Sequence, residues 1–153
     1  MLLLAEKATE LGIATWQSVR FARSTSVSPR GEGSAFADKL RARMIAALEQ
    51  SGSAWLPQVL EDTTIALIGF SSDEFPIVFD ASGDSLASTA LHTSTKAPVV
   101  LVGPEGGIEP EEMHRLTVAG WQRVCLAPNT LRFETAGIAA IAAIRSSRRN
   151  GEE

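Results

Sequence analysis

At 153 residues, with 44% hydrophobic and 21% charged side chains and a net charge of −4, the sequence has the composition of one globular domain, which argues against wholesale disorder, collagen and coiled coil. The single Cys125 excludes an internal disulfide and a multi-cysteine zinc site, and no apolar run approaches the roughly 20 residues that span a bilayer. The run 2–5 is too short for a signal-peptide core, so a reducing cytoplasm is the expected compartment, with no membrane and no metal.

Residues 2–11 read as a short helix that Gly12 stops. Residues 13–21 suit a strand, with Ile13, Thr15, Val19 and Phe21 sharing one parity. The Ser-, Pro- and Gly-rich stretch 22–33 reads as a mobile loop, after which Ser34 is placed to cap a helix. There Phe36, Leu40, Met44 and Leu48 recur every fourth residue as a buried stripe, while Lys39 and Arg43 fall on a different face. Gly52 and Pro57 close that element. Residues 63–70 fit a strand by their β-branching and a short helix by their length. Residues 77–79 form a buried strand, and 80–96 are mostly small and polar, with a short helix around 86–91.

The last third is clearer. Residues 98–102 are a continuous apolar run, the pattern of a central parallel strand buried on both faces. The run leads into Gly103-Pro104-Glu105-Gly106-Gly107, and Pro110 opens a helix that stops at Gly120. Residues 121–126 form another strand, followed by a turn at Pro128 and Asn129 and a helix over 133–149, with 148–153 frayed. Strands alternating with helices predict one α/β domain over 1–150, a parallel sheet with helices on both faces.

Ligands gather beyond the carboxyl ends of parallel strands, and two unusual loops, 102–107 and 126–135, fall at such ends. Paired glycines let backbone approach a ligand closely. No Lys-Ser/Thr follows the first loop, and its spacing is not Gly-x-Gly-x-x-Gly, so neither a nucleotide-hydrolase loop nor a dinucleotide fingerprint is present. His92 and His114 lack ligand-like spacing, and Cys125 reads as a small core residue. Arg132 and Glu134 stand two apart at the start of the closing helix, where a carboxylate is also favoured by the helix dipole alone. The small residues Ala136, Gly137, Ala139, Ala140, Ala142 and Ala143 permit close helix approach, within the core or across a dimer interface.

Charge is unevenly spread: seven basic residues against five acidic over 1–60, one against ten over 61–112, and six against three over 113–153. Between Arg20 and Arg43, six basic residues face two acidic ones, either an anion-binding patch or a solvated basic face. Chemistry alone thus gives an anion-tolerant ligand site in an α/β domain.

The two loops together carry a more specific signal. Leu101-Val-Gly-Pro-Glu-Gly-Gly-Ile108, Glu111-Glu112 and Leu131-Arg-Phe-Glu-Thr-Ala136 resemble the bacterial 16S ribosomal RNA uridine-N3 methyltransferases, of the SPOUT class. Glu6-Lys-Ala-Thr-Glu-Leu-Gly12, Arg23-Ser24 and Glu49-Gln50-Ser51 extend the resemblance over nearly the whole chain. It implies an α/β fold with a deep C-terminal trefoil knot, a rare exception to unknotted connection. It also implies a homodimer, with the closing helix against the partner, a helical 63–70 segment, and S-adenosyl-L-methionine held in the knotted loops. Val102, Gly103, Pro104, Glu105, Gly106 and Gly107, with Leu126, Ala127, Thr130 and Leu131, would then embrace the cofactor.

The implied reaction moves a methyl from the sulfonium to N3 of a uridine in small-subunit rRNA. Neutral N3 is a poor nucleophile, so its proton must leave; Glu134 is the candidate base, and Arg132 the group that stabilises the uridine anion or grips a phosphate. Arg23, Lys39 and Arg43 would hold the RNA. Family members usually carry a further N-terminal PUA-like RNA-binding domain and a first strand, and this sequence begins after both. The family turn Leu-Gly-x-Arg-Ile-Leu-Arg is here Leu126-Ala-Pro-Asn-Thr-Leu-Arg132, so Ala127 lacks glycine's freedom and Asn129 removes a cation. Ser53 stands where an arginine is usual, and Ala22 where a glutamate precedes the arginine. These departures define the alternative, an inactive SPOUT-like domain that dimerises and binds RNA or a small ligand. A small nucleotide-binding regulator is disfavoured by the missing lysine.

Overall fold

The computed structural model describes residues 1–24, 33–127 and 129–149. The centre of the loop expected at 22–33, the capping side chain of Ser34, Pro128 of the expected turn and the chain end from 150 lie outside the described residues. Helix α1 (Leu2–Glu10) turns Leu4, Ala5, Ala8 and Thr9 inward. It stops as expected at Gly12, which sits at φ 75° and donates to Thr9 O, while Ile13 N reaches Ala8 O. Those two bonds satisfy carbonyls that the last helical turn leaves open.

The expected strand 13–21 divides into β1 (Thr15–Trp16) and β2 (Val19–Arg20). Helix α2 (Gly33–Ser51) follows, then β3 (Gln58–Val59) and β4 (Thr63–Thr64). The pairs β1–β3 and β2–β4 are parallel but separate, because Leu60 N bonds Trp16 O and Thr63 N bonds Ser18 O, which moves the ladder from one short partner to the next. In α2 the stripe read from the sequence is present: Leu40 and Met44 are buried and Phe36 and Leu48 half-buried. Leu40 and Met44 close on Ala5 of α1, with Leu2, Trp16 and Leu56 around them. The segment 63–70 holds only the two residues of β4 and one turn, in which Leu67 N and Ile68 N both reach Thr64 O. Ile65 packs inward while Leu67 is 78% exposed, so there is one apolar turn and no longer helix.

The main sheet corrects one expectation. Its order is β6 (Ala97–Val102), β5 (Glu74–Ser85), β7 (Gln122–Cys125), all parallel, so β5 and not the 98–102 run is central among the described strands. Phe75 to Phe79 are all buried, whereas the second half of β5 is polar and masks its centrality in the sequence. The β5–β7 register breaks between Phe79 and Asp84, both of which face Val124. After β5, two 3₁₀ turns, Leu86–Ser88 and Ala90–His92, replace the single helix expected there, with the hydroxyls of Ser85 and Thr89 accepting from Ala87 N and Leu91 N.

Alternation along β5 sends its side chains to opposite faces. Val78 joins Phe21, Ile65, Leu101 and Trp121, with Met113 and Leu116 of helix α3 (Pro110–Val118). Ile77 and Phe79 join Leu91 and Val124, with Ala140 and Ile144 of helix α4 (Phe133–Arg149). Helices therefore cover both faces. Pro110 opens α3 and Gly120, at φ 100°, follows its end. Helix α4 also reaches α1: Arg145 donates to Leu11 O at 2.9 Å and to Gly12 O, and Gly137 faces Leu4. No helix among the described residues is long and apolar enough to cross a membrane.

Candidate functional site

Because β6, β5 and β7 run parallel, the segments that follow them emerge on one side of the sheet. They enclose a cleft of about 270 Å³. Val102, Gly103, Pro104, Glu105 and Gly107 wall it from the β6 side, and Leu126, Ala127, Thr130 and Leu131 from the β7 side. The structure thus brings the two loops read from the sequence to one cavity. Cys125, half-buried in β7, donates its thiol to Ala127 O at 3.2 Å and so helps shape the second loop. His114 is exposed on α3, and the His92 side chain lies outside the described residues.

Gly106 is not on the wall; its carbonyl accepts from Arg23 Nη1 at 3.2 Å. Arg132 and Glu134 are also off the wall, although Leu131, Phe133 and Ala136 around them are on it. Arg132 is exposed. Glu134 accepts from the Met1 amino group at 2.9 Å. That bond, followed by the N–H of its own backbone, outweighs burial and holds its carboxyl below the usual range, so it is ionised at neutral pH.

The basic residues read as an RNA face stand apart from the cleft wall. Lys39 and Arg43 are exposed on α2, and Arg43 Nη1 reaches Glu6 Oε2 at 3.2 Å. Arg23 lies closer, on the outside of the first loop, where Nε meets Glu109 Oε1 at 2.5 Å.

The sequence reading missed the third contributor to the cleft, Phe79-Asp80-Ala81. The rule that located the other two loops would have found it, since Asp80 follows the apolar run 77–79 directly. Ile108, Asn129, Phe133 and Ala136 complete the wall. Asp80 is half-buried, with Oδ1 taking Arg123 Nη2 at 2.5 Å and Ser82 N at 2.9 Å. Burial pushes its carboxyl up, but the Arg123 guanidinium and the Ser82 N–H outweigh it and hold the pKa below the ordinary 3.8.

A carboxyl with a depressed folded pKa stabilises the fold above its unfolded pKa and loses that contribution as pH falls through the folded value. The gap in urea midpoint between wild type and Asp80→Asn should therefore be full above about pH 4 and narrow below it. Equal gaps at pH 6 and pH 2.5 would count against the ion pair.

The wall carries two carboxylates, Asp80 and Glu105, and no Lys, Arg or His among the described residues; the rest is apolar side chain, amide, hydroxyl and loop backbone. Such a site suits a ligand with an apolar body and a cationic centre. No group of three or more His, Cys, Asp or Glu among the described residues is placed to hold a metal ion.

Known proteins share this fold. A family model described as an RNA methyltransferase domain matches residues 1–145. The ribosomal RNA small subunit methyltransferase E of Aquifex aeolicus is 26% identical over 142 residues, which cover 90% of this chain and 59% of that protein. A crystal structure of a ribosomal RNA small subunit methyltransferase E from Neisseria gonorrhoeae, bound to S-adenosyl methionine, superposes with a TM-score of 0.86 at 30% identity, covering 95% of this chain and 60% of that one. A putative methyltransferase from Legionella pneumophila, solved with bound SAM, has the same fold at 22% identity, with a TM-score of 0.85 over 96% of this chain and 61% of that one. The chain thus spans about three-fifths of the length of these relatives. With the family model matching nearly end to end and the fold shared across such distant sequences, this chain belongs to the RNA methyltransferase domain family.

Proposed function

We propose that this chain is the catalytic domain, over 1–150, of an S-adenosylmethionine-dependent methyltransferase acting on N3 of a uridine in 16S rRNA, a cytoplasmic homodimer with a C-terminal trefoil knot. The observation that carries the reading is the single cleft built from the 102–107 and 126–131 loops. The names of the Aquifex and Neisseria relatives support the rRNA substrate. The residues present fit the cofactor: Asp80 and Glu105 complement a sulfonium and an amino group, and the apolar side chains of both loops suit an adenine ring. Convergence of both loops on one cavity is also what a knot about a bound cofactor requires. On α4, Ala142 is exposed and Ala139 and Ala143 are half-covered, a surface of small side chains suited to a partner helix.

S-adenosylmethionine, when bound, supplies an electrophilic methyl on a positively charged sulfur. Glu134, ionised beside the cleft, takes the N3 proton of the uridine, and Arg132 stabilises the negative charge left on the base. Arg23, Lys39 and Arg43 hold phosphates of the RNA. Positioning of N3 in line with the methyl supplies much of the rate.

The test is methyl transfer from radiolabelled S-adenosylmethionine to small ribosomal subunits lacking the modification, with the product nucleoside identified by mass spectrometry. N3-methyluridine is the expected product, and Glu134→Gln should lower kcat by about a hundredfold, the scale of general-base catalysis. Cofactor binding without any transfer, in subunits shown to be unmodified, would point to the inactive domain instead. Full activity in Glu134→Gln would remove the base from that residue.

A further inference from the structure

The first loop has two sides, one lining the cleft and the other packed against Arg23. Gly107, at φ 76°, lines the cleft and also comes near Arg23, whose Nη1 would stand 3.9 Å from a Cβ there, while Gly106 is off the wall and packs on Arg23 more closely. A Cβ on residue 106 would stand 3.2 Å from Arg23 Cβ and 3.4 Å from Arg23 O, so glycine is what lets the two backbones approach. The Arg23 guanidinium then spans the outside of the turn, with Nε on Glu109 Oε1 at 2.5 Å and Nη1 on Gly106 O at 3.2 Å. A second tie lies beside the first: Ala22 N donates to Glu112 Oε1 at 2.8 Å, while Glu112 Oε2 accepts Glu109 N at 3.2 Å. Within the turn itself, Gly107 N bonds Pro104 O at 2.8 Å. The wall from Gly103 to Gly107 is thereby fixed from behind to the segment that leaves β2.

We propose that Arg23 is a positioning residue for the cofactor loop, acting through Gly106 and Glu109, in addition to any contact it makes with RNA. The proposal rests on the reading of the cleft as an S-adenosylmethionine site. Both partners are partly exposed, with side-chain accessibilities of 49% and 35%, so the pair adds little to global stability. What it sets is the position of the loop, since any part of the wall left to be ordered by the ligand weakens affinity.

Calorimetric titration with S-adenosylhomocysteine tests this on wild type, Arg23→Ala, Arg23→Lys, Glu109→Gln and the double variant Arg23→Ala/Glu109→Gln. Arg23→Ala should weaken binding about fivefold with little change in thermal midpoint, and the double variant should be no weaker than Arg23→Ala alone. Arg23→Lys keeps the charge but not the two-pronged grip, and should fall between wild type and alanine. In methyl transfer by Glu109→Gln, which touches neither RNA nor the cleft wall, the KM for S-adenosylmethionine should rise while kcat at saturation is retained. Wild-type binding with an unchanged Kd in Arg23→Ala, or additive losses in the double variant, would overturn this inference and leave the site reading intact. Absence of binding by folded wild type would overturn the site reading, and this inference with it.

Discussion

Replacing Gly83 with valine should cost about 3 kcal/mol of stability, read as a lower midpoint in urea denaturation. A Cβ at residue 83 would lie 2.6 Å from both N and C of Val124 and 2.8 Å from the carbonyl carbon of Arg123. These are backbone atoms of the neighbouring strand, so no side-chain rotation can relieve the overlap. The position is also where β5 returns to β7 after its register break, since Asp84 faces the same Val124 that Phe79 faces. Any added atom pushes the two strands apart and loosens the packing of Val124, Ile77 and Phe79 beneath them. Gly69→Ala is the matched control: nothing lies within 4 Å of a Cβ there, and the change should stay within about 0.5 kcal/mol. Equal midpoints for Gly83→Val and wild type would show that the strands can separate without loss.

Ala136→Phe should abolish most cofactor binding while leaving the fold intact. Ala136 lies in the first turn of α4 and lines the cleft, so a phenyl ring there competes for the same 270 Å³. Overpacking of about 1–3 kcal/mol corresponds to roughly five- to 150-fold weaker binding of S-adenosylhomocysteine. Ala136 is half-exposed, so the ring can extend into the cleft and the thermal midpoint should change little. Unimpaired binding in a folded variant would place the cofactor elsewhere, whereas a collapse of the midpoint would show that the ring had been forced into the core.

How far the sequence could be read depended on how local the determining physics was. Helices were legible because their signals lie within a few residues: Gly12 and Gly120 as stops, Pro110 as a start, and the Leu40–Met44 spacing as the buried face. The two loops that line the cleft were legible for the same reason, since each follows an apolar run directly. Strand order was not. The 98–102 run is apolar because it is covered on both faces, Leu101 by the α3-side core and Val100 by the α4-side core, yet it stands beside the central strand. Centrality belongs to β5, whose polar second half hides it, and with that strand the sequence reading lost Asp80. The split of 13–21 into β1 and β2 was likewise invisible, because the break is imposed by partners more than 40 residues away. The engagement of Arg23 belongs to the same class: its Glu109 partner is 86 residues distant.

The docking of α4 on α1 bears on how the chain folds. Arg145 closes onto a carbonyl 134 residues earlier, and among the described residues every strand pairing is parallel, so no hairpin there offers an early, cheap contact. Contacts of such long sequence separation place the domain among slow folders, with the nearby α1–α2 pair closing before the cleft, whose two loops come from well-separated segments. During synthesis the glycine loop would thus exist as a chain segment well before it exists as a binding surface.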